Sequence, residues 1–347
     1  MPRMNLGLPF QTCNVYPNPC QATVQGAKLF RCSACHAVNY CGVEHQRADR
    51  PRHKVQCVPI KQTKTKLEKE EAALRANPGD ANTPPNAFEN AMGNFWTFQG
   101  TRPYMRARQE YVTALLNVRT GEAVQAALDH SLGLLQLSRG DNLGIRSSIP
   151  ALFLRLGRDQ DAYDFIKWYA VKATSNYEWG NMELPFLDLK GENALEPVDE
   201  KPLHIQLSFF VALTLIKIRL MKDLMGLQEF VKKKPNTTNA ARMEYLKEEA
   251  MSDVLLSRED IVGGDLGEAI AEMRRQVIQL YEKVKGMNPH FWPGVLNPEI
   301  YAYSVPGMYA MGSPEEAVLV FRQSWYSWSE TEPAVQWIRG IIKNDKS

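Results

Sequence analysis

The sequence predicts a chain in two parts, a small N-terminal module and a larger, mainly α-helical domain. All six cysteines of the 347-residue chain lie within its first 57 residues, at positions 13, 20, 32, 35, 41 and 57. From about Phe95 onward, apolar residues recur at the three- and four-residue spacing of helices, with almost no strand-like alternation. The first part is therefore expected to depend on its cysteines for stability, and the second part on the packing of apolar helix faces.

Composition and charge indicate where the protein is located and which partners it is expected to lack. Residues 1–12 contain no apolar core of an export signal, so we expect reduced thiols and an intracellular protein, in the nucleus or the cytoplasm. The longest apolar run, Ile205 to Ile216, is followed at once by Lys217 and Arg219; it is too short to span a membrane and predicts a buried helix. A net charge of +2 gives no chain-wide footprint for nucleic acid.

Eight cysteines and histidines near the N-terminus have the spacing of metal ligands. They form four pairs along the chain: Cys13 and Cys20, Cys32 and Cys35, Cys41 and His45, and His53 and Cys57. The second pair has the two-residue gap of a metal-binding knuckle, and the last two pairs are four residues apart, on one face of a helical turn. Thiolate and imidazole favour Zn²⁺ over Ca²⁺ or Mg²⁺. Because residues 13–57 have few large aliphatic side chains, bound zinc must supply much of their folding free energy.

In order and spacing, these pairs resemble the MYND zinc finger. The resemblance implies that the pairs interleave, with the first and third on one Zn²⁺ and the second and fourth on another. The implied sites are Cys13, Cys20, Cys41 and His45 for the first ion, and Cys32, Cys35, His53 and Cys57 for the second. Six residues separate Cys13 from Cys20 where the family usually has two, and His45 stands where cysteine is commoner.

The family resemblance also suggests a partner. Some MYND fingers bind proline-rich peptides in a groove, which implies a protein or peptide partner and no nucleic acid or membrane. Gln46 matches a residue of that groove, whereas Arg50 replaces its tryptophan. We expect Arg50 to favour acidic residues beside the proline, because a guanidinium pairs with carboxylates. The basic run from Arg47 to Lys54 is predicted to be the solvated outer face of two short helices, with contact to phosphate or RNA as the alternative.

Composition divides the rest of the chain. Residues 1–60 are predicted to be the finger, residues 61–93 a charged and Pro/Asn-rich linker, and residues 94–347 an α-helical, repeat-like domain. The segment "LGRDQDA" resembles the turn of a tetratricopeptide repeat, with Gly157 at the turn, Asp159 as a cap and Ala162 close to the preceding helix. A second helix pair is predicted around Gly312, with Ser313 capping its second helix. This part of the chain resembles fungal proteins with an N-terminal MYND finger and a helical domain.

Motifs of enzymes that contain a MYND finger are missing from the sequence. The Asn-His pair of SET-type lysine methyltransferases is absent, and no histidine is followed two residues later by Asp, as an iron-dependent hydroxylase requires. Cys41 to Arg47 matches the spacing of a phosphatase loop, but Cys41 is assigned to zinc. The sequence therefore predicts a non-enzymatic, zinc-binding interaction protein. The alternative is an enzyme whose site lies within the helical domain.

Overall fold

A computed structural model describes residues 7–15, 20, 28–173, 176–197 and 206–344. Over these residues, the predicted fold class is confirmed: a small finger is followed by helices. The finger holds one antiparallel ribbon, β1 (Phe30–Arg31) paired with β2 (Asn39–Tyr40). Within the described ranges, fourteen α-helices follow in order: α1 (Val43–Ala76), α2 (Ala87–Asn90), α3 (Arg102–Leu115), α4 (Gly121–Leu137), α5 (Ile149–Arg155), α6 (Asp159–Val171), α7 (Leu207–Lys233), α8 (Asn239–Glu249), α9 (Glu259–Gly263), α10 (Leu266–Met287), α11 (Phe291–Leu296), α12 (Pro298–Tyr303), α13 (Pro314–Ser329) and α14 (Glu332–Asn344).

The chain forms two compact units. The N-terminal unit comprises Leu8–Leu152 and Glu178–Pro185, and the C-terminal unit comprises Phe153–Tyr177, Phe186–Ser347 and Met1–Gly7. These bounds differ from the predicted division at residues 61–93, because the finger, that segment and α2 to α4 all belong to the N-terminal unit. The reason for the difference lies in helix α1.

Helix α1 joins the finger to the helices without interruption over 34 residues. Its buried residues follow one face at spacings of four, four, three, seven and seven: Asp49, His53, Cys57, Ile60, Leu67 and Leu74. The first half of this face carries zinc ligands, and the second half packs against α3, whose Tyr104, Tyr111 and Leu115 are buried. Residues 61–76, predicted as linker, are therefore the second half of a packed helix. An ion pair of 2.7 Å between Lys66 and Glu110 ties that half to α3.

The C-terminal unit is built around the packed helices α7 and α10. Nearly every residue of α7 from Leu207 to Leu224 is buried. The predicted buried helix is therefore present from Leu207 onward, while Ile205 lies outside the described residues. Lys217 and Arg219 do not end the buried stretch, because both are buried within it. None of the described helices is long and apolar enough to cross a membrane.

The two predicted helix pairs are found in part. Gly157, between α5 and α6, has the left-handed conformation of a turn at φ +67°, and Ala162 is fully buried. Asp159 does not cap α6; it is the buried first residue of that helix and pairs with Arg219 at 2.7 Å. Ser313 does cap α13, where its side chain accepts a hydrogen bond from the Glu316 amide. The helix before it ends at Tyr303 and not at Gly312, so the repeat-like arrangement stays a prediction.

Candidate metal centre

The finger brings all eight predicted ligands into two groups, each of four. In each group the ligand atoms lie within 4.8 Å of one another. The groups are the predicted interleaved sets: Cys13, Cys20, Cys41 and His45 in the first site, and Cys32, Cys35, His53 and Cys57 in the second site. The structure thus brings together the two sets of residues that the sequence predicts as ligands.

Local structure places the ligands of the first site. Cys13 pairs with Asn39 through an isolated parallel bridge, so the N-terminal segment lies beside β2. Cys41 directly follows β2, and His45 lies in the first turn of α1. The Cys20 and Cys41 sulfurs are 3.6 Å apart, and Nδ1 of His45 is 3.5 Å from the Cys13 sulfur and 3.0 Å from the Cys41 sulfur.

The second site joins the turn of the ribbon to α1. Cys32 directly follows β1, and the turn to Cys35 is closed by the His36 amide, which donates to the Cys32 carbonyl at 2.9 Å. His53 and Cys57 approach from α1, one helical turn apart. The Cys32 and Cys57 sulfurs are 3.8 Å apart, and Nε2 of His53 is 3.4 Å from the Cys35 sulfur.

These distances fit tetrahedral zinc. With Zn–S bonds of about 2.3 Å and Zn–N bonds of about 2.0 to 2.1 Å, two sulfurs on one ion are about 3.8 Å apart, and a sulfur and a nitrogen about 3.6 Å. The measured sulfur separations of 3.6 and 3.8 Å match. Two of the sulfur–nitrogen separations, 3.5 and 3.4 Å, also match, whereas the Cys41–His45 pair is shorter at 3.0 Å. A disulfide would need about 2.05 Å between sulfurs, and none of the six cysteines forms one.

Electrostatics in the second site also fit a bound cation. Burial raises the pKa of the Cys35 thiol to about 12, so a thiolate there needs a positive charge beside it. Burial lowers the pKa of His53, which keeps the imidazole neutral and able to bind metal. Nδ1 of His53 is buried and has no hydrogen-bond partner among the described residues, which leaves Nε2, facing Cys35, as the ligand atom. Bound at these residues, zinc would supply the charge that the thiolates lack.

A buried carboxylate, Asp49, supports the first site from α1. It accepts hydrogen bonds from Tyr40 Oη at 2.7 Å, from Asn14 Nδ2 at 3.1 Å and from Arg52 Nε at 2.7 Å. Because Asn14 is next to Cys13 and Tyr40 is next to Cys41, Asp49 fixes the backbone beside two ligands of the first site. Its position between His45 and His53 was the sequence signal for this role, since all three share one helix face at four-residue spacing.

The finger is also attached directly to the start of α4. Thr120 Oγ1 donates a hydrogen bond to the carbonyl of Ala37 at 2.6 Å. Ala37 lies two positions after the zinc ligand Cys35. Glu122 accepts from Asn39 Nδ2 at 2.6 Å and from the Gln11 amide at 2.7 Å. Sequence reasoning missed these contacts, because Thr120 and Glu122 carry no signal other than that of an ordinary helix N-terminus.

The two predicted peptide-binding residues lie on the first turns of α1. Gln46 is half-buried, and Arg50, four residues later, is exposed. The adjacent His36, considered solvated from the sequence, is exposed as well and takes a left-handed conformation at φ 55°. The groove assignment of Gln46 and Arg50 stays a prediction.

Unequal burial of the two sites predicts stepwise zinc release. Three ligands of the first site are half-buried, whereas all four ligands of the second site are at most 3% exposed. A chelating dye reaches exposed ligands sooner, so one zinc ion per chain should leave in a fast phase and one in a slow phase. His45→Ala should abolish the fast phase and leave the slow one. A single phase that releases both ions would contradict the difference between the sites.

Comparison with known proteins agrees with this geometry. Residues 13–57 match the family model described as MYND finger. No curated protein and no solved structure gives a significant match to the chain. Residues 13–57 are therefore a MYND finger, and their two ligand groups fit its two zinc ions.

Proposed function

We propose that the chain is a protein-interaction protein in which the MYND finger is the binding module and the helices of the N-terminal unit are its scaffold. The continuity of α1 carries this proposal. The ligands His53 and Cys57 share one helix face with Ile60, Leu67 and Leu74, which are buried in the N-terminal unit. The outer surface of the finger is thereby held on a rigid support, which lowers the entropic cost of binding.

The proposed ligand is a protein segment that contains proline and acidic residues. Gln46 offers an amide for hydrogen bonds, and Arg50, one turn further along α1, presents an exposed guanidinium. A planar guanidinium can hold a carboxylate through two parallel hydrogen bonds. Arg50 is thus expected to favour acidic residues beside the proline. A tryptophan at this position would favour apolar residues instead.

Affinity purification with the full chain tests the interaction function. Wild type is compared with Gln46→Ala/Arg50→Ala, in which both changes lie outside the zinc ligands, and zinc content is measured for each protein. We expect a defined set of proteins to be lost with the variant while two zinc ions per chain remain. The same set captured by both proteins would show that this surface of the finger is not the binding module.

Peptide titration tests the expected specificity. The full chain should bind an acidic proline-rich peptide more tightly than a neutral one, and the difference should shrink as salt rises, because exposed charges are screened. Arg50→Trp should reverse the preference by restoring an apolar wall. Equal and salt-insensitive affinity for both peptides would mean that Arg50 takes no part in recognition.

One cavity of the C-terminal unit bears on the enzymatic alternative. It has a volume of about 590 Å³ and includes several carboxylates in its lining: Glu196, Asp260, Asp265, Glu268 and Glu272. Hydrogen bonds from Arg258 lower the pKa of Asp260 to about 2, and the side chain of Asp265 caps α10. Burial opposes ionisation of Glu196, but hydrogen bonds from Lys167 and Tyr163 outweigh it and lower its pKa. Glu196 and Asp260 are thus held by hydrogen-bond partners, and Asp265 serves as a helix cap, which favours the interaction function over acid–base catalysis in this cavity.

A further inference from the structure

Helix α1 carries four exposed cations on one face, here called the basic stripe: Arg47, Arg50, Lys54 and Lys61. None of the four makes a hydrogen bond or an ion pair with any residue that the structure describes. Other cations of the same helix are paired, as Arg52 is with Asp49 and Lys66 with Glu110. The positive charge of the basic stripe is therefore not neutralised by the protein's own acidic residues.

The basic stripe is long enough to contact another helix. Its residues are separated by three, four and seven positions, the spacing that keeps side chains along the seam of two paired helices. At a rise of about 1.5 Å per residue, Arg47 and Lys61 lie about 21 Å apart along the axis. A partner helix of about 14 residues would cover that distance.

Exposed valines accompany the cations. Val43 and Val58 fall on the same face as the basic stripe by helical spacing and are 58% and 40% exposed. Val55, on the neighbouring face, is 75% exposed. Aliphatic side chains between the charges suit a protein partner with its own apolar residues. A nucleic-acid strand would be contacted through phosphates and stacking aromatics, and no aromatic residue occurs between Val43 and Ala76.

We propose that the basic stripe docks an acidic, amphipathic α-helix of a partner protein, with carboxylates facing the cations and aliphatic side chains against the valines. This inference rests on the proposed protein-binding function and extends it from the Gln46 and Arg50 end along α1. The support for α1 makes the docking surface rigid, because the adjacent, buried face of the helix is held by the zinc ligands and by packing on α3.

A designed peptide tests the proposal on the full-length, zinc-loaded protein. The probe is a fluorescent peptide of about 21 residues that can form an amphipathic helix. Along one face of this helix, at alternating spacings of three and four residues, every second position is Glu and the others are Leu. Its control is a peptide of the same composition in scrambled order. We expect the designed peptide to bind at least about tenfold more tightly than the scrambled one, with an affinity that falls as salt rises.

Matched charge reversals assign binding to the basic stripe. Arg47→Glu/Lys54→Glu should weaken the designed peptide by about tenfold or more, since each change turns an attraction into a repulsion. Lys232→Glu/Lys247→Glu makes the same change in net charge at exposed lysines of α7 and α8 and should leave binding unaltered. Both variants leave Gln46, Arg50 and every zinc ligand in place. If Arg47→Glu/Lys54→Glu still binds the acidic proline-rich peptide, a loss of the designed peptide counts against the basic stripe alone and leaves the proposed function standing.

Two outcomes would overturn the proposal. Equal affinity for the designed and scrambled peptides would show that binding depends only on the net charge of the peptide and not on a helix with its carboxylates on one face. Tighter binding of a single-stranded RNA than of the designed peptide, lost in Arg47→Glu/Lys54→Glu, would show that the basic stripe recognises phosphates.

Discussion

Cys57→Ser is expected to release the zinc ion of the second site and to unfold the finger together with helix α1. Structural zinc contributes on the order of 10 kcal/mol to such modules, which is comparable with the whole stability of a domain. Pro51 lies inside α1, where proline costs about 3 kcal/mol. Ligands on both sides of Pro51, at His45 and His53, hold the helix across that weak point.

Amide hydrogen exchange measures this effect segment by segment. Protection should fall in the finger, in α1 and in α3, because Ile60, Leu67 and Leu74 of α1 are part of the same packed unit. Val58→Ser, which changes an exposed neighbour on the same helix, should leave protection unaltered. If α1 beyond Ile60 and α3 kept full protection in Cys57→Ser, the finger would be an independent domain, as the predicted linker implied.

Arg219→Met is expected to destabilise the C-terminal unit by about 3 to 5 kcal/mol, because it leaves the carboxylate of Asp159 buried without its partner. The Arg219 guanidinium donates to Asp159 at 2.7 Å, to the Leu154 carbonyl at 2.9 Å and to Thr331 Oγ1 at 2.6 Å. Asp159 is completely buried. Denaturation in urea, followed by circular dichroism, gives the change in the free energy of unfolding.

A second variant separates the lost ion pair from lost packing. Arg219→Met/Asp159→Leu removes both charges and should recover a large part of the loss, since no carboxylate is then left without its partner at position 159. Lys232→Met, at an exposed lysine of the same helix, should change the free energy of unfolding by less than about 0.5 kcal/mol. A double variant as unstable as Arg219→Met alone would show that the guanidinium acts through packing and not through Asp159.

The zinc ligands could be predicted from the sequence because metal binding depends on residue type and spacing. Cys32, Cys35, His53 and Cys57 satisfy local geometry that is visible in a short stretch of chain. The wider gap between Cys13 and Cys20 is accommodated as well, since the bridge from Cys13 to Asn39 fixes the start of that segment. The sequence shows Asp49 only by its place between His45 and His53 on one helix face; its partners Tyr40 and Asn14 approach it only after β2 and the N-terminal segment have folded.

The packing of the second half of α1 could not be predicted, because that half is mostly charged and is typical of a solvated helix. Only Ile60, Leu67 and Leu74 mark the buried face between residues 60 and 76, and a spacing of seven is a weak signal over so short a run. Their burial depends on α3, which is distant in sequence. The burial of Lys217 and Arg219 was hidden for the same reason, since their partners at Ala194 and Asp159 come from other segments.

The zinc content of the purified full chain, counted by native mass spectrometry, tests the central claim most directly. Two interleaved sites of four ligands each predict two Zn²⁺ per chain in the wild type. His45→Ala should retain one, bound by the buried residues of the second site. A wild-type chain with no bound zinc, and with its helical content intact, would contradict both the metal centre and its role in holding α1.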